Sequence, residues 1–182
     1  MRAQTLVLGM TALALVAGCA AKRPPHPLTN EYRYTCCNIR YEKDEINDAN
    51  YQVGTIIPFG TRVQILEVRD DRVRFQPEGG TPITLFIRYG TAIPLEQHLS
   101  RLFLTADPKA KLPKKMPAKK RQLLDQGVVE PGMTREEVLL AIGYPPAHRT
   151  PSLSANSWHY WQNRWIQFDV FFNGDKVDRV QR

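Results

Sequence analysis

Two adjacent cysteines, Cys36 and Cys37, offer the most distinctive chemistry in this sequence. The Cα atoms of neighbouring residues lie about 3.8 Å apart, whereas those of disulfide-bonded cysteines are usually about 4.4–6.8 Å apart. A disulfide between neighbours is therefore expected to be strained, and strained disulfides are easily reduced. The pair predicts either a redox-sensitive bridge or a structural element, meaning a local rigid link or two buried thiols.

The other residues that could perform chemistry are dispersed along the chain. The spacing of the four histidines matches neither His-x₃-His nor His-Glu-x-x-His, which argues against a zinc site. The sequence also contains no serine-hydrolase, phosphate-binding-loop or dinucleotide-binding motif. We therefore expect a protein that is not an enzyme and that uses no metal or other cofactor. The histidines are His26, His98, His148 and His159.

An apolar segment of twelve residues, at positions 6–17, follows the basic residue Arg2. A helix that crosses a membrane needs about 20 apolar residues, so this segment is too short to span one. A short basic start followed by such a segment is typical of a secretory signal peptide. We expect residues 1–18 to be this signal peptide.

The third cysteine, Cys19, ends the sequence Val-Ala-Gly-Cys at positions 16–19, which resembles the lipobox of bacterial lipoproteins. The resemblance implies that diacylglycerol is attached to the Cys19 sulfur and that a fatty acid such as palmitate acylates its amino group. Several acyl chains anchor a protein stably, whereas one chain alone is marginal. Ala20 stands where Asp would indicate retention in the inner membrane, so we expect an outer-membrane anchor facing the periplasm. The alternative is a buried cysteine in an apolar N-terminal helix.

Two segments are rich in proline and basic residues, and both are expected to be extended. Residues 19–30 predict a tether. Residues 105–121 contain seven basic residues, one acidic residue and three prolines, and predict a linker that becomes helical after Pro117. Its charges could contact anionic lipid, at about 1 kcal/mol each, or an acidic partner; the alternative is a solvated connector. The candidate contacts are Lys114, Lys115, Lys119, Lys120 and Arg121.

The net charge of +7 is concentrated in this linker. Removal of the signal peptide takes away Arg2 and leaves +6 on the side chains, which is the charge of residues 105–121 alone. The rest of the mature chain therefore sums to zero. This distribution, together with a periplasmic location, argues against a nucleic-acid-binding protein.

Residues 31–104 are expected to form a small β-domain. Apolar and polar residues alternate in three runs, which are separated by turn signals at residues 70–71 and 77–80. This pattern predicts a β-meander that closes into a small barrel. Residues 57–63, Ile-Pro-Phe-Gly-Thr-Arg-Val, resemble the entry of bacterial SH3-like barrels. A short amphipathic helix is expected over residues 94–104.

Residues 122–182 predict a helix followed by a three-stranded antiparallel sheet, so the fold class is α+β. Thr134 and Glu137 have the spacing of a capping box at the start of the helix, and Gly143 is expected to end it. Three strands follow, the last two joined by an Asn-Gly turn at residues 173–174. The helix is expected to bury Val138, Leu139 and Ile142.

The aromatic residues of these strands fall on both faces of the predicted sheet. Ile166, Phe168, Val170 and Phe172 are expected to pack on the helix, and Trp158 and Tyr160 point away from Trp161. Because a sheet covered on one side cannot bury both faces, some of the outer aromatic residues are expected to bind a partner. The candidates are Trp161, Trp165 and Phe171. The alternative is a second covering layer from the N-terminal segment.

The motifs of this last segment resemble the SmpA/OmlA domain of the BamE-like lipoproteins. They are Gly-Met-Thr at 132–134 with Glu-Val at 137–138, Ile-Gly-Tyr-Pro at 142–145, an aromatic strand and the Asn-Gly turn. The likeness covers residues 123–181, about a third of the chain. It implies the helix-plus-sheet fold and an accessory role in the outer-membrane β-barrel assembly machinery. The family usually places this domain soon after the lipid, whereas about 100 residues intervene here.

Together these features predict a lipid-anchored periplasmic protein that is not catalytic. Its expected role is to bind an envelope protein partner, in outer-membrane assembly or envelope integrity. The alternative is an envelope spacer whose β-domain binds peptidoglycan and whose basic linker binds anionic lipid.

Replacement of the proposed lipid attachment residue, Cys19→Ser, should abolish labelling with a radioactive or clickable fatty acid. The protein should also move from the membrane fraction to the soluble fraction, because the anchor is lost. A Cys37→Ser variant serves as the control and should keep its lipid. Unchanged membrane attachment of Cys19→Ser would contradict the lipoprotein assignment.

Overall fold

A computed structural model describes residues 24–89 and 92–182 of the chain. The predicted signal peptide and the lipobox with Cys19 lie outside the described residues. The fold is mixed α+β, in agreement with the predicted class. Its strands are β1 Tyr32–Thr35, β2 Ile39–Tyr41, β3 Glu45–Asn47, β4 Thr55–Ile57, β5 Arg62–Arg69, β6 Arg72–Pro77, β7 Ile83–Phe86, β8 Phe103–Leu104, β9 Ser157–Trp161, β10 Gln167–Asn173 and β11 Lys176–Gln181. Its helices are α1 Leu95–Leu102, α2 Ala118–Gln126 and α3 Arg135–Ile142.

A curled six-stranded sheet contains the predicted meander, which is formed by β5, β6 and β7. The strand order is β3-β7-β6-β5-β1-β8, and all neighbours are antiparallel except β3 and β7. Successive side chains of a strand point to opposite faces of the sheet, and the apolar residues at every second position bury one side of the meander. A register shift between Ile65 and Glu67 leaves Val68 only partly buried. The buried residues are Val63, Ile65, Val73, Phe75, Ile83 and Leu85.

The helix predicted over residues 94–104 is shorter in the structure. It covers Leu95–Leu102, and Phe103 and Leu104 instead form the short strand β8, which pairs with β1. The buried ring of Phe103 packs edge-on against Phe75, with 5.0 Å between ring centroids. This long-range contact outweighs the local tendency to continue the helix.

Helix α3 packs on a separate three-stranded antiparallel sheet with the order β11-β10-β9. The predicted capping box is confirmed, because the side chain of Thr134 accepts from the amide of Glu137 and the Glu137 side chain accepts from the amide of Thr134. The buried stripe is different from the prediction in one position: Ala141 is buried with Val138 and Ile142, whereas Leu139 is only partly buried.

The inner face of this sheet is confirmed for Phe168, Val170 and Phe172, which are buried. Ile166 was expected on the same face but is 52% exposed, because it lies in the connection that precedes β10. Trp158 and Tyr160 point inward and are fully buried. The polar atom of each buried side chain has a hydrogen-bond partner: Trp158 Nε1 donates to the carbonyl of Leu153, and the Tyr160 hydroxyl donates to the carbonyl of Gly143.

The predicted linker, residues 105–121, follows the surface as a 3₁₀ turn, Pro108–Lys111, and the first residues of α2. The helical continuation after Pro117 is confirmed. Helix α2 ends at Gly127, which has a positive φ of 63°, and Leu124 from this helix is buried against α3. No helix among residues 24–89 and 92–182 is long and apolar enough to cross a membrane.

Polar side chains from the first half of the chain bind the carboxyl-terminal ends of α2 and α3. Buried Asn38 donates to the carbonyls of Leu124 at 2.6 Å and Ala141 at 3.0 Å. Its side-chain oxygen accepts from the amide of Phe59 at 2.9 Å. Phe59 in turn belongs to the apolar cluster around α3 rather than to the cluster inside the six-stranded sheet. One buried amide thus links three segments that are distant in sequence.

A second set of contacts lies beside the first. Asn50 donates to the carbonyls of Ile142 and Tyr144, and Gln52 donates to that of Ile142. The turn at Gly143 has a φ of +77°, and a Cβ atom there would lie 3.1 Å from the Asn50 amide nitrogen and 3.4 Å from the Cys37 sulfur. Glycine is therefore required at this position both by backbone conformation and by the close approach of Asn50.

Replacement of the linking amide, Asn38→Ala, should lower the free energy of unfolding by about 3 kcal/mol or more. The change removes the side-chain partner of the Ala141 carbonyl and of the Phe59 amide in a buried place, and each such loss costs about 1–3 kcal/mol, whereas the Leu124 carbonyl keeps the amide of Gly127. Urea unfolding followed by circular dichroism measures the difference. Asn156→Ala, at an exposed asparagine, is the matched control and should change stability by less than about 0.5 kcal/mol. Equal stability of the two variants would show that the linking role of Asn38 is wrong.

Candidate binding surface

The outer face of the three-stranded sheet follows from the same alternation that buries its inner face. Because Trp158 and Tyr160 point inward on β9, His159 and Trp161 point outward. On β10, Asp169 and Phe171 share this outer face, and Asp169 lies directly opposite His159 in the register. The two side chains bond, with 2.8 Å between His159 Nδ1 and Asp169 Oδ1.

A row of rings crosses one end of this face. Tyr89 stacks on His148 with 5.3 Å between ring centroids, and His148 stacks on Trp161 with 5.5 Å. His159 meets Trp161 edge-on at 4.7 Å. Tyr89 follows β7, and His148 lies between α3 and β9, so the row joins the two sheets through side chains from separate connections.

Three arginines lie over aromatic rings around this row. The guanidinium carbon of Arg149 is 5.8 Å from the centre of the Trp161 ring, that of Arg164 is 5.1 Å from the Trp165 ring, and that of Arg88 is 5.0 Å from the Phe86 ring. Such cation–π contacts are worth about 0.5–1 kcal/mol at exposed sites.

Tyr51 connects the arginines with the row of rings. Its hydroxyl interacts electrostatically with that of Tyr89, and it lies within electrostatic range of both Arg88 and Arg164. Burial, together with Tyr89, raises the pKa of Tyr51 above its usual 10.0. We call this set the aromatic–arginine surface. Its rings are Tyr51, Tyr89, His148, Trp161 and Trp165, and its cations are Arg88, Arg149 and Arg164.

The aromatic–arginine surface is where the described part of the chain exposes most of its large apolar side chains. Four such residues are exposed among the described residues, and three of them lie here or next to it: Tyr89 at 47%, Trp165 at 79% and Ile166 at 52%. The fourth, Tyr32, is on the six-stranded sheet beneath Arg62. Exposed aromatic residues that cluster in this way mark interaction sites.

The structure separates the three predicted interface residues. Trp165 is the most exposed, whereas Trp161 is half-buried within the ring row. Phe171 lies opposite Ser157, four register pairs along the sheet from Trp161, and is half-buried beneath Arg179, with 3.9 Å between the Arg179 guanidinium carbon and the centre of the Phe171 ring. Sequence reasoning missed Tyr51, Tyr89 and His148, because their neighbours come from connections that no local pattern places together.

The other predicted site residues lie elsewhere. Cys36 and Cys37 are joined by a disulfide, and both are buried between the six-stranded sheet and α3. In the basic segment, Lys119 pairs with Glu130 at 2.9 Å and Lys120 with Glu137 at 2.8 Å. Lys114, Lys115 and Arg121 are exposed, and none of them pairs with a carboxylate of the described residues.

No group of three or more metal-ligating His, Cys, Asp or Glu side chains occurs in the described parts of the chain.

Comparison with protein families, curated proteins and solved structures finds no match to this chain. The chemistry of the exposed side chains is therefore the basis for a functional proposal.

His148 should titrate at a lower pH than an ordinary histidine. Burial between its neighbours lowers the pKa of His148 from its usual 6.5, Arg149 and His159 act in the same direction, and Asp48 opposes them. A lowered pKa in the folded state means that the neutral ring contributes stability above about pH 6.5, which is lost as the pH falls through the folded pKa. Histidine ring NMR signals measured against pH, with His148→Ala for assignment, check this. A pKa of 6.5 or higher would contradict it.

Proposed function

We propose that this protein is a lipid-anchored, non-catalytic lipoprotein on the periplasmic side of the outer membrane. Through the aromatic–arginine surface it binds an envelope protein, and it acts in outer-membrane assembly or envelope integrity. The exposure of Trp165 within a cluster of rings and arginines is the observation that carries the proposal.

The composition of the surface supports a protein partner. Trp, Tyr and Arg are the residue types most enriched where protein interfaces gain their binding energy. Trp161 and His148 are stacked, and Asn163 accepts from the backbone amides of Trp165 and Ile166, both at 2.9 Å. Trp165 is thus presented on a hairpin connection whose backbone is fixed by Asn163. A connection whose backbone is already fixed loses less conformational entropy on binding.

The anchor and the family resemblance support the location. The lipobox predicts lipid on Cys19, at the start of a proline-rich tether. The capped helix and three-stranded antiparallel sheet of residues 134–181 have the arrangement that the SmpA/OmlA resemblance implies. We assign the C-terminal part to a BamE-like fold and the meander of β5 to β7 to an SH3-like barrel as part of the same proposal.

Truncation of the exposed indole, Trp165→Ala, should weaken capture of the partner by at least tenfold. The melting temperature should fall by less than about 3 °C, because a 79% exposed side chain contributes little to the core. Crosslinking in intact cells followed by affinity purification from membranes measures capture, and scanning calorimetry measures stability.

Tyr32→Ala is the matched control for this experiment. It removes another exposed aromatic residue, 50% exposed, from the opposite sheet, and should leave capture unchanged. A large loss of stability in Trp165→Ala with intact capture would contradict the interface.

The second candidate function is an envelope spacer that binds peptidoglycan or anionic lipid. The observation in its favour is the exposure of Lys114, Lys115 and Arg121 without carboxylate partners among the described residues. Sedimentation with purified peptidoglycan, and with vesicles of neutral or anionic lipid, distinguishes the two candidates. Binding that Lys114→Gln/Lys115→Gln abolishes and that Trp165→Ala leaves unchanged would favour the spacer.

A further inference from the structure

The arginines of the aromatic–arginine surface have hydrogen-bonding capacity that the protein does not use. Arg88, Arg149 and Arg164 each lie over a ring, and none forms an ion pair with a carboxylate of the described residues. Stacking occupies the flat face of a guanidinium and leaves the N–H groups at its edge free. Those groups match the two oxygens of a carboxylate, so each arginine can form a bidentate contact.

Two carboxylates of this region, those of Asp48 and Asp169, already have other partners. Asp48 accepts from the backbone amides of Arg88 at 3.1 Å and Tyr89 at 2.9 Å. Asp169 bonds to His159. Among the described residues, none of the three cations is therefore neutralised by a direct ion pair, although Glu42 and Glu45 line the groove next to Arg88.

The rings and the cations form one continuous surface rather than separate spots. Tyr51 interacts electrostatically with Arg88, Arg164 and Tyr89, and the ring of Tyr89 begins the row that ends at Trp161 under Arg149. An open groove of about 740 Å³ continues from Tyr51 and Arg88 and contains charges of both signs. The groove gives room for flanking residues of a ligand, and Arg88 is the one of the three arginines that lines it.

We propose that the aromatic–arginine surface binds an acidic segment of the partner protein. Its Asp or Glu carboxylates pair with Arg88, Arg149 and Arg164, and an apolar or aromatic side chain between them packs on Trp165 and Tyr89. This inference rests on the proposed function and adds the chemistry of the partner. Paired charges held at a partly apolar surface give both orientation and salt-sensitive affinity.

Two synthetic peptides test the charge requirement with the full-length protein in detergent micelles. One is acetyl-Glu-Asp-Phe-Glu-Asp-amide, and the other replaces each acid by its amide, acetyl-Gln-Asn-Phe-Gln-Asn-amide. The tryptophan indole N–H signals in NMR report binding. The acidic peptide should bind at least about tenfold more tightly than the neutral one, and raising the salt from about 50 mM to about 500 mM should remove most of the difference.

The double variant Arg149→Gln/Arg164→Gln should lose at least about tenfold in affinity for the acidic peptide. Arg74→Gln is the matched control, since Arg74 is exposed on the six-stranded sheet and lies over no ring; it should bind like the unchanged protein. Equal binding of the two peptides, no indole shift at about 10 mM acidic peptide, or an unaffected double variant would each overturn the inference. Binding of inorganic phosphate in preference to the acidic peptide would overturn it as well.

The same double variant separates this inference from the proposed function. If it captures the partner in cells as well as the unchanged protein does, while Trp165→Ala does not, the protein-binding role stands and the acidic partner is wrong. If Trp165→Ala captures the partner normally, the proposed function fails, and the peptide experiment still decides whether the surface binds acidic segments.

Discussion

The structure depends on one constraint, which is that the backbone carbonyls at the carboxyl-terminal ends of α2 and α3 must find hydrogen-bond donors away from water. A helix leaves its last four carbonyls without partners inside the helix. Here, the first half of the chain supplies donors to several of them through Asn38, Asn50 and Gln52. Because these bonds are directional, they fix the six-stranded sheet in one orientation against α3, which apolar contact alone would specify less strictly.

This constraint also positions the aromatic–arginine surface. Tyr51 lies between Asn50 and Gln52, whose side chains bond to the end of α3, and the amide of Gln52 donates to the carbonyl of Trp161 at 2.9 Å. Tyr51 is therefore held beside the three-stranded sheet, where its hydroxyl meets that of Tyr89. The bonds that end the helix thus also align rings from three separate connections. A surface built in this way is formed before a partner arrives, which lowers the entropy cost of binding.

The sequence predicted the features that depend on near neighbours. The capping box at Thr134, the turn at Asn173 and Gly174, and the placement of Trp158 and Tyr160 on the face away from Trp161 follow from spacings of a few residues, and the structure has them. Strand β8 and the ring row could not be predicted, because each is decided by a residue far away in the chain. A buried asparagine such as Asn38 gives no sequence signal either, since its importance lies entirely in its distant partners.

The distribution of charge on the folded surface also depends on residues that are far apart in the sequence, so it could not be predicted either. The sequence places six of the seven excess positive charges in residues 105–121, and this arithmetic makes the remaining chain look almost electrostatically neutral. In the structure, Lys119 and Lys120 of that segment are neutralised by Glu130 and Glu137, whereas Arg88, Arg149 and Arg164 are drawn together from a nominally neutral region. Recognition of a partner at short range depends on local charge, because salt screens charges that lie more than about 8–10 Å apart. A sum over the sequence therefore cannot locate a binding surface whose cations become neighbours only after folding.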